Sequence, residues 1–113
     1  MGASSEGAKA ANKEIKNILR ALLENYAKFF NRDERLNSDG IRLYKRVSYF
    51  LYLIDNKALV NLYKKSFRNP TIENIIEFAK YFIDAENIVK ISALNEFYYE
   101  EILEFNDVNV KDK

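Results

Sequence analysis

Apolar residues recur along most of this chain at steps of three and four, the period of helices that bury one face. Over residues 13–31 the stripe is Ile15, Ile18, Leu19, Leu22, Tyr26, Phe29 and Phe30, which predicts a first amphipathic helix. Arg20, Glu24 and Lys28 stand four apart off that stripe and pair weakly across turns. Residues 32–40 are polar, lack a period and end in Asn-Ser-Asp-Gly. They predict a loop, with Ser38 or Asp39 capping the helix that follows. Residues 41–54 predict a second helix, with Leu43, Tyr44, Val47, Phe50, Leu51 and Ile54 in one sector. Arg42, Lys45, Tyr49 and Tyr52 fall together on its opposite side. Asp55-Asn56 either caps a third helix or marks a kink. That helix turns Leu59, Leu62, Tyr63 and Phe67 inward, and Lys57, Asn61, Lys64, Lys65 and Arg68 outward.

Proline disfavours helical geometry in the residue before it, so Asn69-Pro70 ends the third helix and starts a fourth, Asn69 as cap and Pro70 at the first helical position. The fourth stripe is Ile72, Ile75, Ile76, Ala79, Phe82, Ile83 and Val89. Phe78, Tyr81 and Ile88 fall off it, so this helix either sits centrally in the bundle or meets a protein partner through those residues. Ser92 caps a fifth helix carrying Leu94, Phe97, Tyr98, Ile102 and Phe105 on one face, or the fourth helix runs through. Residues 1–12 read as a disordered leader, small and aperiodic, and residues 106–113 as a flexible polar tail. The expectation is an all-α, compact bundle of four or five helices over residues 13–105, in one domain. No stretch predicts a strand.

Charge changes this picture. Residues 41–68 carry Arg42, Lys45, Arg46, Lys57, Lys64, Lys65 and Arg68 against Asp55 alone, a net of +6. Residues 71–113 carry four lysines against ten acids, a net of −6. The formal charge of +1 for the whole chain hides this polarity. The cations either simply keep the bundle solvated or, since a solvated face normally mixes signs, point to a polyanion, an acidic protein or a head-to-tail contact between copies. Such a contact is heterologous and builds filaments rather than closed dimers. Lysine and arginine neutralise phosphates and release counterions, which binds nucleic acid without reading its sequence. Tyr49 and Tyr52, interleaved with the cations, either stack on unpaired bases or pack on a neighbouring helix. The candidate nucleic-acid-binding residues are therefore Arg42, Lys45, Arg46, Tyr49, Tyr52, Lys64, Lys65 and Arg68.

Absences narrow the classes further. The chain has no His and no Cys, which removes Cys/His zinc sites, Ser–His triads, imidazole acid–base catalysis and the Arg–His motif of HEPN-type ribonucleases. Gly2, Gly7 and Gly40 are the only glycines, too few for a phosphate-binding glycine loop. Glu100, Glu101 and Glu104 alone do not make a metal site, because clustered helical glutamates are commonplace. These features predict a non-enzyme with no cofactor and no metal. No apolar run reaches the roughly 20 residues of a membrane span. Met1-Gly2 lacks the Ser or Thr at position 6 of a myristoylation signal, having Glu6 there. The lack of cysteine favours the cytoplasm over secretion.

The order of features resembles the small all-helical subunit of type III-A (Csm-type) CRISPR–Cas effector complexes. The likeness covers residues 14 to about 90. Lys-Glu-Ile-Lys-Asn-Ile-Leu at residues 13–19 is similar to that family's first helix. Tyr44-Lys45-Arg46-Val47-Ser48-Tyr49 and Leu59-Val60-Asn61-Leu62-Tyr63-Lys64-Lys65 are similar to its basic middle. Phe78-Ala79-Lys80-Tyr81-Phe82-Ile83-Asp84-Ala85 is similar to its aromatic helix. The family often continues with a His-containing, Gly-Gly-ending stretch, whereas residues 91–105 here hold neither residue type. The resemblance implies a non-catalytic subunit in antiviral defence. Its copies line up beside a backbone subunit and help clasp single-stranded RNA or a guide–target hybrid. It assigns phosphate contact to Arg42, Lys45, Arg46, Lys64, Lys65 and Arg68. A reading of another class is a protein-interaction module, such as a viral or plasmid inhibitor or an antitoxin-like bundle, with no nucleic-acid role.

Overall fold

A computed structural model describes the backbone of residues 2–93 and the side chains of residues 6–91. The expected fifth helix at 92–105, the tail at 106–113 and Glu100, Glu101 and Glu104 lie outside the described side chains. Helices are α1 (Gly2–Glu24), α2 (Tyr26–Phe29), α3 (Ser38–Lys45), α4 (Val47–Ile54), α5 (Lys57–Arg68), α6 (Ile72–Ala79) and α7 (Ala85–Ala93). The fold is an all-α bundle; among the described residues the only β pairing is two isolated bridges, Phe30 with Leu36 and Arg35 with Thr71. No described helix is long and apolar enough to cross a membrane.

The leader expectation is corrected: α1 begins at Gly2 and takes in residues 2–12 as helix. Alanine has the highest helix propensity, and Ala11 is already buried against the bundle. Along α1, Ile15, Leu19, Leu22 and Leu23 are fully enclosed, each contributing about 1.5–3 kcal/mol by leaving water. This helix packs chiefly along α4, with α3 and α7 beside it, while α5 packs on α6.

Three expected helices are divided, two of them by side chains that compete for helical carbonyls. Asn25 donates from its amide to the Ala21 carbonyl (2.8 Å) and separates α1 from α2. Ser48 donates to the Lys45 carbonyl (2.8 Å), and the Arg46 N–H bonds Leu43 three residues back (3.1 Å), so the chain tightens between α3 and α4 without leaving the right-handed region. The third division, at residues 80–84, has a larger consequence. It resets the helical phase, so Ile88 turns inward and Val89, assigned to the core, is 51% exposed.

Caps also moved. Asn37, not Ser38 or Asp39, accepts from the Gly40 N–H (2.8 Å). Thr71, not Asn69, caps α6 by accepting from Asn74 N–H (3.2 Å). Asn56 caps α5 by accepting from Leu59 N–H (3.1 Å), after Asp55 reverses the chain in the left-handed region at φ 55°, a conformation that Asp tolerates better than most residues. Gly40 is not a loop glycine. It lies in the first turn of α3, where a Cβ would collide with the Phe29 carbonyl oxygen.

Where α3 meets α5 and α6, Tyr44, Tyr63, Phe67, Phe78 and Phe82 form an aromatic core. Phe78 stands edge-on to Tyr44 at 6.1 Å and lies 5.6 Å from Tyr63. Its polar atoms form a closed chain: Tyr63 Oη donates to the Tyr44 carbonyl (2.9 Å), Ser66 Oγ donates to the Tyr63 carbonyl (2.8 Å), and Tyr44 Oη therefore donates to Ser66 Oγ (2.6 Å). Burial raises both phenol pKa values well above the ordinary tyrosine range.

Candidate nucleic-acid interface

The aromatic core fixes which faces of α3, α4 and α5 remain outside. With Tyr44, Val47 and Leu51 inward on α3–α4, the opposite side carries Arg42, Lys45, Tyr49 and Tyr52, all exposed. Tyr49 is 67% and Tyr52 86% exposed, so neither packs on a neighbouring described helix. With Leu59, Tyr63 and Ser66 inward on α5, the outer positions are Lys57, Asn61, Lys64, Lys65 and Arg68.

These residues do not form one continuous strip. A shallow groove between α4 and α5 gathers Tyr52, Lys57, Asn61 and Lys64, with Leu51 and Val60 beneath and Asp55 and Asn56 at one end. The same groove continues past Tyr52 and Lys64 to Ser48 and Tyr63. A second groove, on the other side of α5, gathers Lys65 and Tyr81 with Asn56, Ala58 and Leu62. The charge of Lys65 also reaches Glu77, whose carboxyl is held below its usual range mainly by a hydrogen bond from Lys80 (2.8 Å). Neighbouring lysines on α5 thus face different electrostatic surroundings, because adjacent helical positions point about 100° apart.

Pairing separates the cations further. Arg42 bonds Asp39 one turn earlier (3.0 Å), an acid just outside the basic segment 41–68. That pair is exposed and holds the arginine only loosely. Among the described residues, no carboxylate lies within ion-pair distance of Lys45, Arg46, Lys57, Lys64, Lys65 or Arg68. Arg35 joins the far end of α5 by donating to Asn69 Oδ1 (2.8 Å).

Two of three expected protein-interface residues are corrected. Phe78 is fully enclosed by the aromatic core, because α6 is covered by α5 on one side and reaches Tyr44 of α3 on the other. Ile88 is buried because the turn at residues 80–84 rotates α7 relative to α6. Tyr81, in that turn, is 68% exposed. Reasoning from the sequence left Lys57 and Asn61 out of the candidate site, although their steps of four and three to Lys64 carried the signal. Compared with models of known protein families, with curated proteins and with solved structures, the chain finds no match.

Proposed function

We propose that this chain is a non-catalytic, cytoplasmic RNA-binding subunit of a multi-protein assembly, specifically the small subunit of a type III-A CRISPR RNA-guided effector complex. The observation that carries the nucleic-acid part is the groove where Tyr52, a water-exposed ring, stands with Lys57 and Lys64, neither held by a carboxylate. Exposed cations beside an exposed aromatic ring are what a flexible polyanion with stacking faces requires. Assignment to the effector subunit rests on the sequence resemblance at residues 14–90. In that role the guide reads the target and this chain contributes contacts that accept any sequence.

Binding by the isolated chain is expected to be weak, with a dissociation constant on the order of 10⁻⁴ to 10⁻⁶ M at physiological salt. Reversing Lys64→Glu, Lys65→Glu and Arg68→Glu together should weaken binding to single-stranded RNA. Each lost phosphate contact should flatten the salt dependence by about 0.7 in the log–log slope. A salt titration by fluorescence anisotropy measures both. Equal affinity and equal slope for the triple variant and the parent defeat the proposal. The protein-interaction reading keeps only Tyr81 of its original residues, joined by the exposed Val89. A stable complex with host protein and no binding of RNA favours that reading.

A further inference from the structure

The groove between α4 and α5 has a composition that a merely basic surface lacks. Leu51, 3% exposed, and half-buried Val60 make an apolar floor under a ring, Tyr52, that is 86% exposed. Tyr52 stacks on no described aromatic ring and makes no hydrogen bond to a described residue. Lys57 and Lys64 stand two turns apart on α5, about 10 Å along its axis, and both line the groove with that ring. The end of the groove beside Asp55 holds about 280 Å³, just below the roughly 300–1,000 Å³ of pockets that enclose drug-sized ligands. It has room for one flat ring and leaves the rest of a ligand outside. Asp55 at one end repels a phosphate, but accepts from a ring N–H or exocyclic amino group.

We propose that this groove is a nucleobase slot: one unpaired base of a single strand lies on Tyr52 while Lys57 and Lys64 hold the flanking phosphates. An apolar peptide side chain would fill the floor equally well, but would leave two unpaired cations at the rim. Phosphates on both sides of the guest satisfy them. The inference rests on the RNA-binding reading above and adds that a base, and not the phosphate backbone alone, is held. A duplex hides the faces of its bases, so single strands bind better than paired ones at equal charge.

The test compares a labelled oligouridine with a strand of equal length and charge whose nucleotides are abasic, using the full chain. Removing the bases should weaken binding about five-fold or more. Tyr52→Ala should cost the same factor on the intact strand and nothing further on the abasic one, while Tyr52→Phe keeps the affinity. Tyr52 is exposed, and an unchanged circular dichroism spectrum confirms that the variants fold. Equal affinity for intact and abasic strands, with Lys64→Glu weakening both, overturns the slot and leaves the RNA-binding reading standing. Tyr52→Ala weakening both strands alike overturns it too. Failure of every strand to bind removes both readings together.

Discussion

Tyr44 and Tyr52 occupy two successive helices, α3 and α4, and are the same residue put to opposite uses. Tyr44 is 0% exposed, its ring against Tyr63 at 4.9 Å and its hydroxyl committed to Ser66. Tyr52 is 86% exposed and its hydroxyl has no described partner. Buried, a tyrosine must satisfy its hydroxyl, because an unmade hydrogen bond in the interior costs about 1–3 kcal/mol. Exposed, it keeps both the ring face and the hydroxyl for another molecule, at the cost of leaving apolar surface in water. The same contrast separates Tyr63 from Tyr49. The buried tyrosines thus hold together the place where α3, α5 and α6 meet, and the exposed Tyr52 lines the groove that α4 and α5 leave open.

The widest gap between the two sets should appear on truncation. Tyr44→Ala removes a fully enclosed ring and the hydroxyl that donates to Ser66, and should destabilise the protein by about 3–5 kcal/mol in denaturant unfolding. Tyr52→Ala should change stability by no more than about 0.5 kcal/mol. Similar losses in the two variants would break the division between core and surface.

A smaller and more local effect comes from the hydrogen-bond chain. Ser66→Ala keeps the packing but removes the acceptor of Tyr44 Oη, and should cost about 1–3 kcal/mol. Restoring stability by adding Tyr44→Phe, which removes the stranded hydroxyl, would identify that hydroxyl as the cause.

The mildest test is alkaline titration. The Tyr44 and Tyr63 phenols have raised folded pKa values, chiefly through burial, against about 10 in the unfolded chain. Above that pH the unfolded chain releases protons that the folded chain retains. Their contribution to stability is therefore complete below about pH 10 and declines as the pH rises beyond it. Part of the phenolate absorbance should then appear together with loss of the helical circular dichroism signal. Full ionisation of every tyrosine with the helices intact would contradict the enclosure of Tyr44 and Tyr63.

How the sequence and the fold divide the information follows from the physics of each signal. Apolar spacing at three and four is local, so the helical class, the inward stripes through Ile15, Leu19, Tyr44, Leu51 and Tyr63, and the outward Tyr49, Tyr52 and Lys64 were legible without coordinates. The role of Asn56 as one of two options was legible for the same reason. Phase, however, propagates only while the helix is unbroken. The turn at residues 80–84 reset it, and the places of Ile88 and Val89 were exchanged by that rotation. Phe78 looked off-stripe because its burial depends on helices covering α6 from more than one direction, which one helix's period does not record.

What the sequence determined by itself is a helical chain with a segregated basic middle and no imidazole or thiol, because composition and local period need no knowledge of neighbours. Only the tertiary structure decided that Lys57 and Lys64 share a groove with Tyr52 while Lys65 turns toward Tyr81 and Glu77. That partition depends on how α4, α5 and α6 cross, and the crossing is set by side chains far apart in the chain.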